Sequence, residues 1–451
     1  LRFNVDSFLT FINQHRLELN SNPCLLAVSG GVDSVVMLHL FQKAGFPAGV
    51  AHCNFGLRGE ESEGDEQFVK TLAEEYHFPF YSRRFNTKSF AREKSISTQM
   101  AARNLRYEWF EELRAAHNYT YIATAHHAND SLETTLLNLV RGTGLSGLHG
   151  ISGINNHIIR PLLFATKEQV VAYAQENGLH WREDLSNESD DYKRNLLRHK
   201  VVPVLQQLNP SLESTFIQSS AKLQSANLLL KAMLNKWVEE VVVEKEGQLR
   251  ISKQKLISES QPAYRLWHVL DKFGFSFQQS TQIIATLSGI SGRQFLSDTH
   301  ALLIDREYLI VQEKINNEAN LSFLIDTLEG EFDFGSFSLS LSHSPKNFRL
   351  PMSHTANFAF INADTLKLPL TIRRWQQGDV FQPLGMQGKK KKLSDFFTDL
   401  KMDLFKKQNI FILLNGNQDV IWIIGLRLDE RYKIDEDTVN VLQVRVAEGD
   451  K

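Results

Sequence analysis

The chain has 451 residues and only two cysteines, Cys24 and Cys53. Two isolated thiols give no disulfide framework and no cysteine-based zinc cluster, and without a C-x-x-C pair nothing marks an iron–sulfur site. No run of about 18 apolar residues occurs, so no membrane-spanning helix is expected. Residues 1–19 alternate Phe, Leu and Ile with Asn, Asp and Gln and lack the basic start, apolar block and small-residue cleavage site of a secretory signal. A cytoplasmic location is the expectation. The formal charge of −2 excludes a uniformly basic nucleic-acid binder. No internal repeat is evident.

What is present points to several domains. The length exceeds what one core accommodates, and 42% hydrophobic with 23% charged residues is the composition of an ordinary globular protein. From residue 1 to about 210, apolar strand-like runs at 24–28, 48–53, 78–85 and 119–125 alternate with helical patterns, which reads as an α/β domain with a largely parallel sheet. Pro203 and the pair Asn209-Pro210 break a helical stretch and place the first boundary near 210. A middle mixed domain is expected over 211–314, with a long helix over 211–243 and a hairpin-like 294–312. Linker and strands follow over 315–366, then a strand-rich domain over 367–451. Charge is uneven there: between Lys367 and Lys407, ten Lys/Arg stand against four Asp. A polyanion contact would concentrate in this region, at Lys389, Lys390, Lys391 and Lys392, although a solvated loop produces the same run.

The most informative segment is Ser29-Gly30-Gly31-Val32-Asp33-Ser34, which joins the first apolar run to a helix expected to begin near Val35. Consecutive glycines let backbone N–H groups converge on a small anion, and the positive end of the helix adds to the attraction. There is no lysine in the loop and no Walker A spacing, which disfavours a kinase or GTPase. Asp33 at a phosphate would be repelled unless a cation lay between them, so Mg2+ is implied. A helix cap explains Asp33 or Ser34 alone more blandly. The segment resembles the pyrophosphatase loop of the ATP-pyrophosphatase superfamily, with hallmark S-G-G-x-D-S, whose members cleave ATP between the α- and β-phosphates.

Other residues fall at the ends of the expected strands, where ligands of this class gather. Asp130 and Glu133, beside His126 and His127, have the spacing of a capping box, in which both carboxylates satisfy backbone donors. The same spacing puts both on one helix face at the mouth of the cleft. Arg103, Arg106 and Tyr107 share a face of a helix from about Ser97; they are either a surface stripe or phosphate ligands. Asp184-Leu185-Ser186-Asn187, followed by Tyr192, Arg194, Asn195 and Arg198, reads as an Asx-rich turn with a solvated helix, or as planar donors suited to RNA.

Taken in order, the glycine loop, His52-Cys53-Asn54-Phe55-Gly56-Leu57-Arg58, Ala101-Ala102-Arg103 with Arg106-Tyr107, and His126-His127-Ala128-Asn129-Asp130 with Glu133-Thr134 resemble the tRNA(Ile)-lysidine synthetase family. So do Arg141-Gly142-Thr143-Gly144 and the segment from Asp184 to Asn195. The likeness runs almost continuously through the first 205 residues. It resumes at Arg374-Trp375, Gly378-Asp379, Pro383-Leu384-Gly385 and Lys391 to Phe397.

The resemblance implies an α/β fold: a Rossmann-like, parallel-sheet ATP-pyrophosphatase domain, a small mixed α/β domain and a strand-rich C-terminal tRNA-binding domain. It implies a ligase that uses ATP to adenylate the wobble cytidine of tRNA(Ile) with a CAU anticodon. Free L-lysine then displaces AMP, and lysidine changes codon reading from AUG to AUA. Homodimerisation is compatible with it. A lysine amine is neutral about once in 2,500 molecules at pH 7, so a carboxylate must bind it and take its proton. Asp130 and Glu133 are the lysine-binding candidates, with Asp130 the base. Asp33 would hold magnesium on the pyrophosphate, and Arg106 would neutralise charge at the α-phosphate. Ser29 to Ser34 would bind ATP; Arg103, Arg194, Asn195, Arg198 and Lys389 to Lys392 would bind tRNA.

The chain departs from the family at three positions. Asn129 stands where Asp is usual, Phe55 where His is common, and Ile151 where Met is frequent. Two other readings compete: a tRNA thiolase of the same superfamily, which would need cysteines that are not there, and a non-catalytic tRNA-binding protein.

Overall fold

The first strand carries no charged or amide side chain because both of its faces are covered. The structure, a computed structural model, describes residues 3–57, 59–182, 192–289, 291–314, 322–335, 337–345 and 357–448. Arg58, Asp184 to Asn187 and the side chain of Tyr192 lie outside the described residues. Strand β1 (Cys24–Ala27) follows helix α1 (Val5–Gln14). Cys24 and Leu26 join a core with Phe8, Met37 and Phe41, while Leu25 joins Trp109, Phe110 and Ile122 on the other face. Each large apolar side chain so buried stabilises the fold by about 1.5–3 kcal/mol.

The chain continues through α2 (Val32–Ala44), β2 (Ala48–Asn54), α3 (Glu60–Glu75), β3 (Phe80–Arg84), α4 (Thr87–Glu93), α5 (Thr98–Ala116), β4 (Tyr121–Ala123) and α6 (Ala128–Arg141). Then come α7 (Leu145–Leu148), the short strands β5 (Ile154–Asn155) and β6 (Ile158–Ile159), and α8 (Lys167–Glu176). The sheet order is β3-β2-β1-β4-β6-β5, parallel except for the β5–β6 pair. Leu26 lies opposite both Val50 and Ala123. The carboxyl ends of β1, β2 and β4 are therefore level, which gathers the three loops that follow them at a switch point of the sheet.

Helix α2 starts at Val32, three residues earlier than the sequence suggests, because Gly31 takes the extended N-cap conformation and the tight turn is complete by then. Further on, α9 (Tyr192–Leu196) runs into a π turn over Leu197–Val201 and then α10 (Val202–Leu208). Pro203 has no N–H to return to the preceding turn, and the wider turn before it absorbs the defect. Arg198 sits in that turn.

Two compact units divide within the long helix α11 (Leu212–Val241), at Ala232 and Met233. In the second unit, five antiparallel strands, in the order 242–245, 248–252, 308–313, 300–304 and 294–296, carry helices 253–257, 262–270 and 277–285 on a core of Leu256, Leu266 and Ile283. A five-stranded sheet (322–325, 370–374, 411–414, 420–423, 427–428) and a four-stranded sheet (330–333, 337–345, 440–448, 358–362) share a further core that includes Ile372, Leu413, Leu442 and Val444. Lys391 and Lys392 form a small strand paired with Val380 and Phe381. Lys389, Lys390 and Lys392 are exposed beside it, and Lys391 pairs with Asp399.

Among the described residues, no helix is long and apolar enough to cross a membrane.

Candidate active site

The glycine loop is held from inside. Gly30 has φ +97°, a conformation that side chains rarely adopt. The buried hydroxyl of Ser34 accepts the N–H groups of Ser29 and Gly30, each at 3.2 Å, and donates to the Gly31 carbonyl at 2.9 Å. Ser34 thus shapes the loop, and the exposed Ser29 hydroxyl and the first-turn amides of α2 are left toward the cleft. Two further contacts fix the loop: His52 Nδ1 lies 2.9 Å from the Val28 carbonyl, and the Arg182 N–H donates to the Gly30 carbonyl at 3.0 Å. Burial keeps the His52 imidazole below its usual pKa, against opposing pulls from the Val28 carbonyl, Glu66 and Asp65.

A cavity of about 430 Å³ opens beside the loop. Ser29, Gly31, Asp33 and Ser34 line one end, His52 to Phe55 and Thr124 to His126 the sides, and Arg103, Arg106 and Tyr107 a third wall. Its apolar part includes Ala27, Ala51 and Phe110. That is room for a nucleoside-sized ligand with its polyphosphate leading to the loop.

As the sequence indicates, Arg103, Arg106 and Tyr107 share a face of α5, which is capped by Ser97. The Arg106 guanidinium lies 5.2 Å over the Phe55 ring, which stacks on Phe85 at 5.6 Å. Phe55 therefore gives this arginine an aromatic face where relatives of the resembled family commonly have imidazole. The Cys53 thiol is pushed up to about 12 by burial, opposed by Arg106, and is inert at neutral pH.

At the head of α6, both readings of Asp-x-x-Glu have a part. Asp130 Oδ2 accepts the His127 N–H at 3.0 Å, as a cap does. Burial would raise its carboxyl, but His127, His126, the His127 amide and Arg198 outweigh that and hold it below the usual range. Glu133 caps nothing: it is 2% exposed, and Arg198 grips both its oxygens at 2.7 and 3.0 Å, with Arg194 Nε at 3.5 Å. Arg198 also stands 3.8 Å from Asp130, and Arg194 donates to Thr134 at 3.0 Å. His126, bonded to Thr124 at 2.9 Å, is lowered to about 4 by burial, with Asp130 opposing and Arg160, Arg103 and Arg194 reinforcing; its ring is neutral at neutral pH.

His127 joins the two halves of the site. Its Nε2 lies 3.8 Å from Asp33 and 3.5 Å from Asp130. The structure thus brings Asp33, Asp130, Glu133, Arg194 and Arg198 together, with Arg103 and Arg106 across the cavity. Asn195 belongs to α9 in the same unit. Lys389 to Lys392 belong to the other compact unit.

Two functional features escape sequence reasoning. Lys167 Nζ bonds both oxygens of Asp33, at 2.7 and 2.8 Å. Its signal was weak but real: a lysine in the first turn of α8 opposes the helix dipole unless an anion faces it. Asn129, in place of the usual Asp, accepts the Lys167 backbone N–H at 2.9 Å and donates to Glu213 at 3.2 Å. An aspartate could make only the first of these bonds and would set two carboxylates against each other, so the amide follows from Glu213 on α11.

The loop, the strand order and the cavity define a PP-loop ATP-pyrophosphatase, and the PP-loop domain model matches residues 5–205. Two further family models, the TilS substrate binding domain and the TilS substrate C-terminal domain, match residues 244–314 and 370–445. The tRNA(Ile)-lysidine synthase of Parabacteroides distasonis is 38% identical over 96% of this chain and 98% of its own length. That of Bacteroides thetaiotaomicron is 37% identical over 97% and 98%, and that of Bacillus subtilis 31% identical over 92% of each. The chain belongs to the tRNA(Ile)-lysidine synthase family, ATP-using ligases that form a carbon–nitrogen bond.

Proposed function

We propose that the enzyme modifies the wobble cytidine of the CAU-anticodon tRNA(Ile) in two steps. The cytosine oxygen-2 attacks the α-phosphate of ATP and pyrophosphate leaves; the lysine ε-amine then attacks carbon-2 of the adenylated base and AMP leaves. One observation carries this reading. The carboxylate of the phosphate loop and the carboxylate suited to an amine flank a single imidazole, that of His127, at 3.8 and 3.5 Å.

Asp130 is the better placed base and lysine ligand. Among the described residues its Oδ1 has only Arg198, at 3.8 Å, whereas both Glu133 oxygens are taken. Glu133 is assigned the task of holding Arg198 and Arg194 toward the tRNA and the reacting base. Arg106 faces the α-phosphate. Making the amine neutral at pH 7 costs about 4.6 kcal/mol; Asp130, which remains ionised, binds the ammonium and is placed to take the proton that the nitrogen gives up as it attacks.

A lone carboxylate at a phosphate cradle suits Mg2+, which takes one or two protein oxygens and completes its shell with phosphate and water. Among the described residues, no group of three His, Cys, Asp or Glu could hold a metal unaided, so Asp33 with ATP is the fitting site. The ion would neutralise charge on the departing pyrophosphate. Arg103, Arg194, Asn195 and Arg198 would contact tRNA near the reacting base, and Lys389, Lys390, Lys391 and Lys392 elsewhere on its backbone. With free tRNA, ATP and lysine as substrates, the cytoplasm is the place of action.

The order of events is testable. With ATP and tRNA(Ile) but no lysine, a stoichiometric burst of pyrophosphate is expected, and lysine should convert it to steady turnover with one AMP released for each lysidine. Pyrophosphate formed equally fast without tRNA would overturn the reading.

A further inference from the structure

We infer that Lys167 is an exchangeable counter-ion: its ammonium holds the Asp33 carboxylate when no nucleotide is bound, and moves to the polyphosphate when metal and ATP enter. This rests on the reading of Asp33 as the carboxylate that faces the metal.

The contact leaves little choice. Both Asp33 oxygens bond the Lys167 ammonium, at 2.7 and 2.8 Å. A divalent cation reaching either oxygen would lie within a few ångströms of that ammonium, a repulsion that water at this half-open site screens only in part. One of the two must leave, and the lysine can do so without breaking the fold. Its backbone is pinned, because its N–H donates to Asn129 and Thr166 closes a capping box with Gln169. Its head is not pinned: the side chain is 41% exposed and carries three rotatable donors on a flexible stem.

The ammonium also needs an anion at all times, because it sits against the positive end of α8. Asp33 serves when the loop is empty, and the phosphates are the anion that arrives as Asp33 turns to the metal. This supplies, from a helix 134 residues away in sequence, the lysine that the glycine loop itself does not carry. The exchange keeps the charge of the site balanced in both states. It also makes bare metal a poor ligand, so that magnesium enters with its nucleotide.

The test uses the full chain and its Lys167→Met variant, with Mn2+ as the probe ion followed by its paramagnetic signal, and ATP binding followed by calorimetry. The variant is expected to bind Mn2+ alone about fivefold tighter, since its competitor for Asp33 is gone. ATP in the presence of Mn2+ should bind about tenfold weaker, since a charge-assisted contact is lost. In an Asp33→Asn background the gain in Mn2+ affinity should disappear. A merely structural lysine would weaken both ligands or neither. Unchanged Mn2+ affinity in Lys167→Met overturns the exchange, as does tighter Mn2+ with undiminished ATP binding. Failure of Mn2+ to bind either protein, with ATP binding intact, overturns the exchange together with the metal reading of Asp33. Thermal unfolding of each variant separates these outcomes from loss of fold.

Discussion

Asp33→Ala is expected to reduce pyrophosphate formation by at least about a thousandfold, the scale of losing a main electrostatic element at a reacting phosphate. The carboxylate is the one acidic group on the phosphate loop, and its removal leaves the leaving group without its metal contact. The fold should tolerate the change. Asp33 lies in the first turn of α2 with 29% of its side chain exposed; losing an acid there costs about 0.3–1 kcal/mol, and losing its partly exposed pair with Lys167 up to about 1 kcal/mol more. A variant with native-like thermal unfolding and no burst of pyrophosphate is the expected result. Appreciable pyrophosphate release would remove Asp33 from the chemistry.

Arg198→Ala should have the largest effect on stability. Among the described residues it leaves Glu133, 2% exposed, with Arg194 alone at 3.5 Å, and breaking a buried ion pair in this way costs about 3–5 kcal/mol. For a unit of this size that is a fall of roughly 10 °C in Tm. The double variant Arg198→Ala, Glu133→Gln should recover part of the loss, because the uncompensated charge is gone, while lysidine formation stays low in both. A cost below about 1 kcal/mol would mean that Glu133 is well solvated or paired elsewhere without Arg198.

The sequence made legible what depends on neighbours along the chain. The apolar run of β1, the glycines of the loop, the Ser97 cap and the shared face of Arg103, Arg106 and Tyr107 are local patterns of period and turn chemistry. The limits of α11, Leu212–Val241, lie within two residues of the helix expected from hydrophobic spacing. The two-residue strands β5 and β6 were not legible, since a pair of residues shows no period.

The least legible parts of the site are pairings across long sequence separations. Glu133 meets Arg198 across 65 positions, and Asp33 meets Lys167 across 134. The sequence offered both Asp130 and Glu133 as lysine ligands, with Asp130 the base, and gave Glu133 no partner of its own. Packing makes them different, because the π turn before Pro203 carries Arg198 onto Glu133 and leaves Asp130 beside His127. Asn129 was likewise readable as a departure but not as an adaptation, since Glu213, which requires an amide there, comes from α11.

The central claim is tested most directly by ATP-dependent incorporation of labelled lysine into unmodified tRNA(Ile) bearing a CAU anticodon, with the CAU-anticodon methionine tRNA as control. Label in the isoleucine tRNA alone, lost when Asp33 or Asp130 is replaced by Ala, is the predicted result. No label despite demonstrated binding of ATP and tRNA, or equal label in both tRNAs, would contradict the account.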